Sequence, residues 1–380
     1  MRVMRVLTRP NLGGPTRQAV ALWHAHRAMG VETLLVTGRV HAGESTLDPE
    51  GCGVPRLVPE AVRAGSVRGG GWVVVEDMGR GIHPLRDLRA RRQLQALAAA
   101  WQPDVVHSHT SKAGALVRTA LRSAPVLAHT YHGHVLADYF HPVVAAGFRW
   151  LERRWAQRTD LLVAVSPSCA DELAALGIAP RERFEVARPA VPLAPVESRA
   201  DARLALGIGS SEFRVAAVGR LVPVKRMEWF VAALQGLEGV HGDVWGSGPE
   251  EARLRSTAGD NVSFRGTRPD LQPLLSAYDA VVLPSVREGC PLVAVEAFAA
   301  GVPVVGCDVP GVRDVLTSWG VGVLVPEAEG PRGLRAALDR LRQDPAGASA
   351  LGAKGIACAA EFAPGRLAQR LVESYASLLP

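Results

Sequence analysis

Two glutamates, Glu288 and Glu296, stand eight positions apart in the segment EGCPLVAVE, and their carboxylates could accept hydrogen bonds from hydroxyl groups. The Gly-Cys-Pro turn after Glu288 predicts a loop, and the helix formers from Leu292 to Ala300 predict a helix. Both carboxylates would then lie near the helix N-terminus, where free N–H groups favour an anion. The spacing leaves an alternative open, in which Glu296 faces solvent and Glu288 only caps the helix.

The length and composition bound the class of protein. The chain has 380 residues, which is longer than the chains that usually fold around a single hydrophobic core, so two domains are expected. No apolar run is long enough to predict a membrane span, and the apolar part of the N-terminus is too short for a signal peptide. Five scattered cysteines without a C-x-x-C pair favour a reducing compartment over a disulfide framework or a zinc site. Together these features predict a cytoplasmic protein.

Basic residues are concentrated in the first half of the chain. Residues 1–190 hold 24 Lys and Arg against 16 Asp and Glu, whereas residues 191–380 hold 19 against 21. This excess predicts an anionic partner, such as a phosphorylated acceptor or the inner face of a membrane; a nucleic acid is not expected. The alternative is an arginine-rich composition without a special partner. The helix predicted over residues 148–158 mixes Arg with Trp150 and Trp155, which is compatible with membrane contact or with ordinary core packing.

Short strand-like runs alternate with helical patterns along the whole chain, which predicts parallel sheets in an α/β fold. In the first half the predicted strands are residues 5–8, 33–37, 72–75, 105–107, 126–129 and 161–165. The predicted helices there are residues 15–28, 85–100, 113–122, 142–157 and 167–176. In the second half the predicted strands are residues 213–218, 241–245, 262–264, 280–283, 303–306 and 322–325, with helices between them.

The proline-rich stretch over residues 187–202 has no periodicity and predicts an interdomain linker. The predicted domains are therefore residues 1–190 and 191–362. Residues 363–380 are expected to form a helix that packs back on the N-terminal domain. Two doubly wound domains would face a central cleft at the carboxyl ends of their strands, where open α/β sheets bind ligands.

The loops of the second half, in the order AVGRLVPVKRMEWFVAAL, WGSGPE and VSFRGTRPDLQPLLSAYDAVVLPSVREGCPLVAVEAFAAGVPVV, resemble the nucleotide-sugar-binding half of family 4 retaining glycosyltransferases. The segments RPNLGGPTRQAVAL, VVHSHTSKAGALVR, HTYHGHV and VAVSPSCADEL of the first half are similar to the same family. The resemblance covers nearly the whole chain in family order. It implies the GT-B fold, with two Rossmann-like domains of which the first binds the acceptor and the second the nucleotide sugar.

The same resemblance implies roles for individual residues in donor binding. In the family's E-x7-E motif, Glu288 would hold the transferred sugar and Glu296 the nucleotide ribose. Arg220 and Lys225 of GRLVPVK would hold the diphosphate and stabilise the leaving group as negative charge develops. The remaining predicted donor contacts are backbone groups, at Gly13, Gly14, Gly219, Gly246, Gly248, Gly289, Cys290, Leu292 and Val293.

Six histidines cluster between positions 107 and 141. A zinc site is the alternative, but no carboxylate or cysteine stands at ligand spacing, and the family works without a metal, so no metal or other cofactor is expected. The resemblance implies that His132 faces the donor sugar near the reaction centre. The other histidines divide into acceptor-side and structural candidates. The predicted acceptor-side residues are His107, His134, Asp138 and Tyr139, and His129 and His141 are predicted to be structural.

The resemblance implies transfer of a hexose-type sugar, with retention of configuration, from a UDP- or GDP-linked donor. The acceptor would be a hydroxyl of a glycan, a lipid-linked molecule or a small molecule, as in polysaccharide biosynthesis. His132, Arg220, Lys225 and Glu288 are the predicted catalytic residues. Front-side attack is favoured, with the departing phosphate taking the acceptor's proton. Two alternatives remain open, a nucleotide-sugar epimerase of the same architecture and a non-catalytic scaffold that binds nucleotide sugars.

Overall fold

The computed structural model describes residues 1–40, 46–65, 67, 69–133 and 141–380. The chain forms two compact units. The N-terminal unit is Met1–Pro192 together with Pro364–Pro380, and the C-terminal unit is Leu193–Ala363. Ala187, Ala190 and Val191 are buried, so the proline-rich stretch begins as part of the N-terminal unit's core.

The N-terminal unit contains one sheet of eight parallel strands. The strands are β1 Arg2–Leu7, β2 Glu32–Thr37, β3 Arg56–Leu57, β4 Gly70–Val74, β5 Val105–His109, β6 Val126–Tyr131, β7 Leu161–Ala164 and β8 Phe184–Val186. Their order is β3-β4-β2-β1-β5-β6-β7-β8. The chain therefore reverses its direction of winding between β1 and β5, and the loops that follow these two strands border a crevice of the kind that binds ligands.

Helices cover both faces of this sheet. They are α1 Gly14–Ala28, α2 Pro59–Arg63, α3 Pro84–Trp101, α4 Ser111–Ala120, α5 Pro142–Ala156 and α6 Pro167–Ala175, with the C-terminal α14 Pro364–Leu378. Because side chains alternate along a strand, Met4 and Val6 of β1 pack with residues of α3 and α4. Val3, on the opposite face, packs with residues of α1 and α14. Arg5 points to that same face and is fully buried there.

A buried ion pair joins α4 to α5. Arg118 Nη1 and Nη2 donate to Glu152 Oε1 and Oε2 at 2.6 and 3.0 Å, and Tyr131 Oη also donates to Oε1 at 2.6 Å. The side chain of Arg118 is fully buried and that of Glu152 is 7% exposed. Every charged oxygen of Glu152 is thus satisfied from within the protein, which a buried carboxylate requires.

Removing one partner of this pair should strongly destabilise the protein. We expect Arg118→Met to lower the free energy of unfolding by about 3–5 kcal/mol, because Glu152 is then left buried without its cation. Chemical denaturation of the variant measures this loss. The exposed pair of Arg181 and Asp171, at 2.5 Å, gives the matched control: Arg181→Met should cost about 1 kcal/mol or less. Equal losses in the two variants would contradict the expectation.

The C-terminal unit contains a second sheet, of six parallel strands. The strands are β9 Phe213–Val218, β10 Val240–Trp245, β11 Val262–Gly266, β12 Ala280–Leu283, β13 Val304–Cys307 and β14 Gly322–Val325, in the order β11-β10-β9-β12-β13-β14. Its helices are α7 Arg199–Leu206, α8 Met227–Leu234, α9 Glu251–Thr257, α10 Leu292–Ala299, α11 Pro310–Thr317, α12 Gly330–Gln343 and α13 Pro345–Ala359. Winding reverses between β9 and β12, so the loops after these strands border the ligand crevice of this sheet.

The strands predicted from the sequence are all present, with ends that differ by up to three residues. The prediction missed β3, β8 and α2, which have two, three and five residues. Elements this short have too few residues for an alternation or a helical period to repeat, so the residue pattern carries no signal for them. Among the described residues, no helix combines the length and the apolar character needed to cross a membrane.

Candidate functional site

The loop after β9 carries the two cations that the sequence singled out. Arg220 is exposed, and it makes no ion pair with any other described residue. Lys225 ends a short 3₁₀ turn over Pro223–Lys225, in which proline occupies the first position. The N–H of Val286 donates to the carbonyl of Val224 at 3.0 Å, so the loops after β9 and β12 are joined at the backbone.

Lys225 meets Glu288 in the C-terminal unit. Lys225 Nζ lies 2.5 Å from Glu288 Oε1, and the hydroxyl of Ser285 donates to the same oxygen at 2.7 Å. The side chains of Lys225 and Glu288 are 21% and 12% exposed, so water screens this pair less than it screens a surface ion pair. Helix α10 begins after Pro291 and has no side-chain cap. Glu288 is therefore held by side chains of the crevice and does not cap the helix.

Glu296 lies in the second turn of α10 and is only 6% exposed. The alternative of a solvent-facing Glu296 is therefore wrong. Cys290, Leu292 and Val293, whose amides were predicted to meet a diphosphate, are half-buried at the beginning of α10. The first amides of a helix lack intrahelical partners, so this end offers donors for an anion beside Lys225.

Glycines allow the site loops to approach one another at the backbone. A Cβ at Gly246 would lie 1.9 Å from the carbonyl oxygen of Gly219, and Gly246 has a φ of +134°. A Cβ at Gly311, in the first turn of α11, would lie 2.3 Å from the carbonyl oxygen of Glu288. Side chains at either position would separate these segments, so glycine sets the close packing of the residues that follow β9 and β10 and of those that follow β12 and β13.

The predicted glycines of the N-terminal unit lie at the beginning of α1. Gly13 is the N-cap residue and Gly14 the first helical residue, and Gly13 N–H donates to the carbonyl of Asn11 at 2.7 Å. Across the reversal point, Thr8 Oγ1 and Thr110 Oγ1 are 2.6 Å apart. The free amides of α1 thus lie in the crevice that follows β1.

The clustered histidines form a network in the N-terminal unit. His109 Nδ1 lies 2.9 Å from His132 Nε2, and His107 Nε2 lies 2.7 Å from Thr130 Oγ1. His107 is fully buried, so it positions neighbouring side chains and has no surface for an acceptor. His129, predicted to be structural, is buried with its Nδ1 2.9 Å from Ser108 Oγ. The predicted acceptor-side residues His134, Asp138 and Tyr139 lie outside the described residues.

Burial keeps this network neutral. Burial, together with the positive charge of the nearby Arg5 guanidinium, lowers the pKa of His132 to about 3. Burial likewise lowers the pKa of His107, His109 and His129 well below the ordinary value for histidine. Within the described part of the chain, no group of three or more His, Cys, Asp or Glu side chains is placed to hold a metal ion.

Comparison with known proteins identifies the family. Residues 12–194 match the model for "Glycosyltransferase Family 4", and residues 212–344 match that for "Glycosyl transferases group 1". The D-inositol 3-phosphate glycosyltransferase of Mycobacterium avium is 32% identical over 298 residues, which cover 72% of this chain and 69% of that protein. The chain belongs to glycosyltransferase family 4. A second relative of this glycosyltransferase comes from Escherichia coli and is named UDP-Gal:α-D-GlcNAc-diphosphoundecaprenol α-1,3-galactosyltransferase. It is 29% identical over 261 residues, which cover 61% of this chain and 65% of that protein.

Solved structures confirm the GT-B fold of this glycosyltransferase. Sucrose-phosphate synthase from Thermosynechococcus elongatus superimposes with a TM-score of 0.82 at 21% identity, covering 100% of this chain and 99% of that one. The Anabaena protein HepE, in complex with UDP-glucose, superimposes with a TM-score of 0.76 at 18% identity, covering 99% of this chain and 100% of that one. The family consists of transferases, which decides against the epimerase and scaffold alternatives.

Three residues that contact or adjoin the predicted site residues were missed from the sequence. Ser285 holds Glu288, and Arg226 anchors the loop beside Lys225 by stacking on Trp229, with its guanidinium carbon 4.0 Å from the ring centroid. The third, Arg5, lies within hydrogen-bond distance of His109. Ser285 and Arg226 give no signal in a single sequence. An arginine inside an apolar strand, as in RVMRVL, is such a signal, because an unpaired charge is rarely buried without a function.

Proposed function

We propose that this glycosyltransferase binds a nucleotide-diphosphate sugar on its C-terminal unit and transfers the sugar with retention of configuration, without a metal ion. The observation that carries the proposal is the Lys225–Glu288 pair at 2.5 Å, beside the first amides of α10. A diphosphate needs cations and N–H donors, and sugar or ribose hydroxyls need carboxylates. Arg220, Lys225 and the amides supply the first kind, and Glu288 and Glu296 supply the second.

We propose UDP as the nucleotide, on the basis of two similar proteins. HepE was crystallised with UDP and with UDP-glucose, and the E. coli relative is named for UDP-galactose. In the proposed complex the ribose hydroxyls donate to Glu296, which the fold already holds in a nearly buried position on α10. Glu288 accepts hydrogen bonds from the hexose. Gly246 and Gly248 line the loop that receives the base.

Two classes of acceptor are represented among the relatives. The relatives from M. avium and Streptomyces fradiae are named for D-inositol 3-phosphate and 2-deoxystreptamine, which are small cyclic polyols. The name of the E. coli relative includes a diphosphoundecaprenol lipid. We favour a small polar acceptor bound on the N-terminal unit, because the relatives named for inositol phosphate align over a larger share of this chain than the E. coli relative does. His132 directly follows β6, at the carboxyl edge of the sheet of that unit. A lipid-linked acceptor and contact with an anionic membrane are the alternative.

The proposed reaction exchanges one bond at the anomeric carbon. The bond from this carbon to the diphosphate oxygen breaks, and the acceptor oxygen attacks from the same face. The acceptor's proton passes to the departing phosphate, which removes the need for a protein base. Arg220 and Lys225 oppose the negative charge that develops on the leaving group, a contribution worth about 3–4 kcal/mol when one such contact is removed.

Donor binding can be tested apart from catalysis. We would measure thermal unfolding of the full chain with UDP-glucose, UDP-galactose, UDP-N-acetylglucosamine, GDP-mannose, UDP and GDP. A ligand at a hundredfold excess over its Kd stabilises the folded state by about 2.7 kcal/mol. Transfer to myo-inositol phosphate, 2-deoxystreptamine and a polyprenyl diphosphate sugar is then assayed with the donor that binds, with NMR of the new anomeric bond. An inverted product, or a requirement for Mg²⁺, would overturn the proposed chemistry.

Glu296 should contribute to donor binding more than to the chemical step. We expect Glu296→Gln to raise the KM for the nucleotide sugar by about tenfold, because a charge-assisted bond to the ribose becomes a neutral one. The kcat should change by less than about threefold, as for loss of an interaction made equally in ground and transition states. Glu238→Gln, on the loop before β10, is the control. A variant with unchanged KM would remove Glu296 from the donor site.

A further inference from the structure

Arg5 is a buried cation surrounded by neutral groups. Its side chain is fully enclosed, and among the described residues it makes hydrogen bonds but no ion pair. Burying a cation without an opposite charge is costly, so the fold gains something in return at this position. What surrounds Arg5 is the histidine network that ends at His132.

The hydrogen bonds of this network run in two branches from Arg5. In the first, Arg5 Nη1 lies 2.7 Å from His109 Nε2, and His109 Nδ1 lies 2.9 Å from His132 Nε2. In the second, Arg5 Nη2 donates to Tyr375 Oη at 3.4 Å, and Tyr375 Oη lies 2.5 Å from His107 Nδ1, which is also 3.5 Å from Arg5 Nη1. Among the described residues, the first branch alone reaches His132 through hydrogen bonds.

The chemistry of arginine fixes the direction of the first branch. A guanidinium can only donate, so His109 Nε2 must accept. A neutral imidazole carries one proton, so the proton of His109 is on Nδ1 and is donated to His132 Nε2. His132 Nε2 is then an acceptor, and the proton of His132 stands on Nδ1. The low pKa values of both rings keep either from gaining the second proton that would blur this order.

We infer that Arg5 and His109 are positioning residues of this glycosyltransferase, which fix His132 as the tautomer that presents Nδ1–H as a donor. The inference rests on the proposed role of His132 beside the donor sugar. A fixed N–H hydrogen-bond donor at this point favours an oxygen that accepts a hydrogen bond, such as that of a hydroxyl or a phosphate. It also prevents His132 from acting as a general base through Nδ1, which agrees with transfer of the acceptor's proton to the departing phosphate.

The tautomer can be observed directly in the free enzyme. In the full chain labelled with ¹⁵N-histidine, long-range ¹H–¹⁵N correlation spectra distinguish a protonated from an unprotonated ring nitrogen, and His132→Ala assigns the His132 signals. We expect the wild-type protein to carry the His132 proton on Nδ1. In His109→Leu the donor to His132 is lost, and the ring should become a mixture of tautomers. The control is Tyr375→Phe, in the other branch, which should leave the His132 spectrum unchanged.

Activity gives a second readout through a matched pair of variants. Asparagine at 109 places an amide N–H near the position of Nδ1, whereas glutamine places its amide near Nε2. His109→Asn should therefore keep the His132 tautomer and most of the kcat. His109→Gln, like His109→Leu, should lower kcat by about tenfold to a hundredfold with little change in donor KM, as misplacement of a reacting group does. The pair also serves if His109→Leu does not fold.

The outcomes separate this inference from the proposed function. A His132 proton on Nε2 in the wild-type protein overturns the inference, and so does an unchanged His132 spectrum in both His109→Leu and His109→Gln. If His132→Ala transfers sugar at the wild-type rate, the proposed role of His132 fails, yet the spectra still decide whether Arg5 and His109 set its tautomer.

Discussion

Lys225→Met should lower the kcat for sugar transfer by about a hundredfold to a thousandfold, the usual effect of removing a donor aimed at developing charge. The ammonium of Lys225 is held 2.5 Å from Glu288 Oε1 in the free enzyme, and Ser285 shares the same carboxylate oxygen. The cation is therefore placed before substrate arrives, and little reorganisation remains for the reaction step. Methionine fills the same space without the charge. Steady-state kinetics at saturating donor measure the loss.

The pattern of the kinetic constants distinguishes the leaving-group role from simple binding. If Lys225 acts on the developing charge, kcat falls and the donor KM changes little, whereas a ground-state contact would raise KM at constant kcat. Removing Lys225 also leaves Glu288 without its cation, so the double variant Lys225→Met/Glu288→Gln tests whether an unpaired carboxylate causes the loss. Lys354→Met, at an exposed position of α13, is the charge-matched control and should transfer at the wild-type rate.

The second sheet and its site loops were largely predictable from the sequence, because each strand is an apolar run bounded by glycine, proline or charge. The two glutamates illustrate the limit. Their spacing predicted that both approach the beginning of α10, but burial of Glu296 and the pairing of Glu288 with Lys225 depend on contacts over long sequence separations. The order of the strands, which brings the loops after β9 and β12 to one crevice, decides those contacts.

The histidine cluster was harder to interpret for the same reason. The sequence predicted that His107 faces the acceptor, but alternation along β5 turns His107 and His109 to one side, toward Arg5 of β1 and Tyr375 of α14. Tyr375 is separated from His107 by 268 positions, so no local pattern connects them. The family resemblance transfers motif residues such as Glu288, but not the supporting residues that lie outside any motif.

The buried histidines should make the protein unusually sensitive to acid. Burial lowers the pKa of His26 and that of His132 to about 3, and those of His107, His109 and His129 well below 6.5, so these rings are neutral in the folded protein at pH 5–7. In the unfolded chain they take up protons below about pH 6.5. The unfolded state then binds more protons than the folded state, and stability falls as pH falls.

The five rings together set the slope of this loss. Each contributes up to about 1.4 kcal/mol per pH unit once the pH is well below 6.5, so the five together contribute up to about 7 kcal/mol per unit. A domain with ordinary stability should therefore unfold within about two pH units of its plateau. Denaturant titrations at pH 7.5, 6.5, 5.5 and 5.0 measure this slope, and a free energy of unfolding that stays constant over this range would contradict the neutral network.

A matched pair on one hydrogen bond assigns the slope to individual rings. His26 Nδ1 lies 3.0 Å from Thr33 Oγ1, in the buried contact between α1 and β2. His26→Asn keeps an amide near Nδ1 but removes the titrating ring, so the slope should fall by the share of one proton. Thr33→Val removes the partner and leaves the ring, so it should lower stability at every pH while the slope persists. The same slope in both variants would show that His26 does not contribute to it, and the slope would then come from His107, His109, His129 and His132.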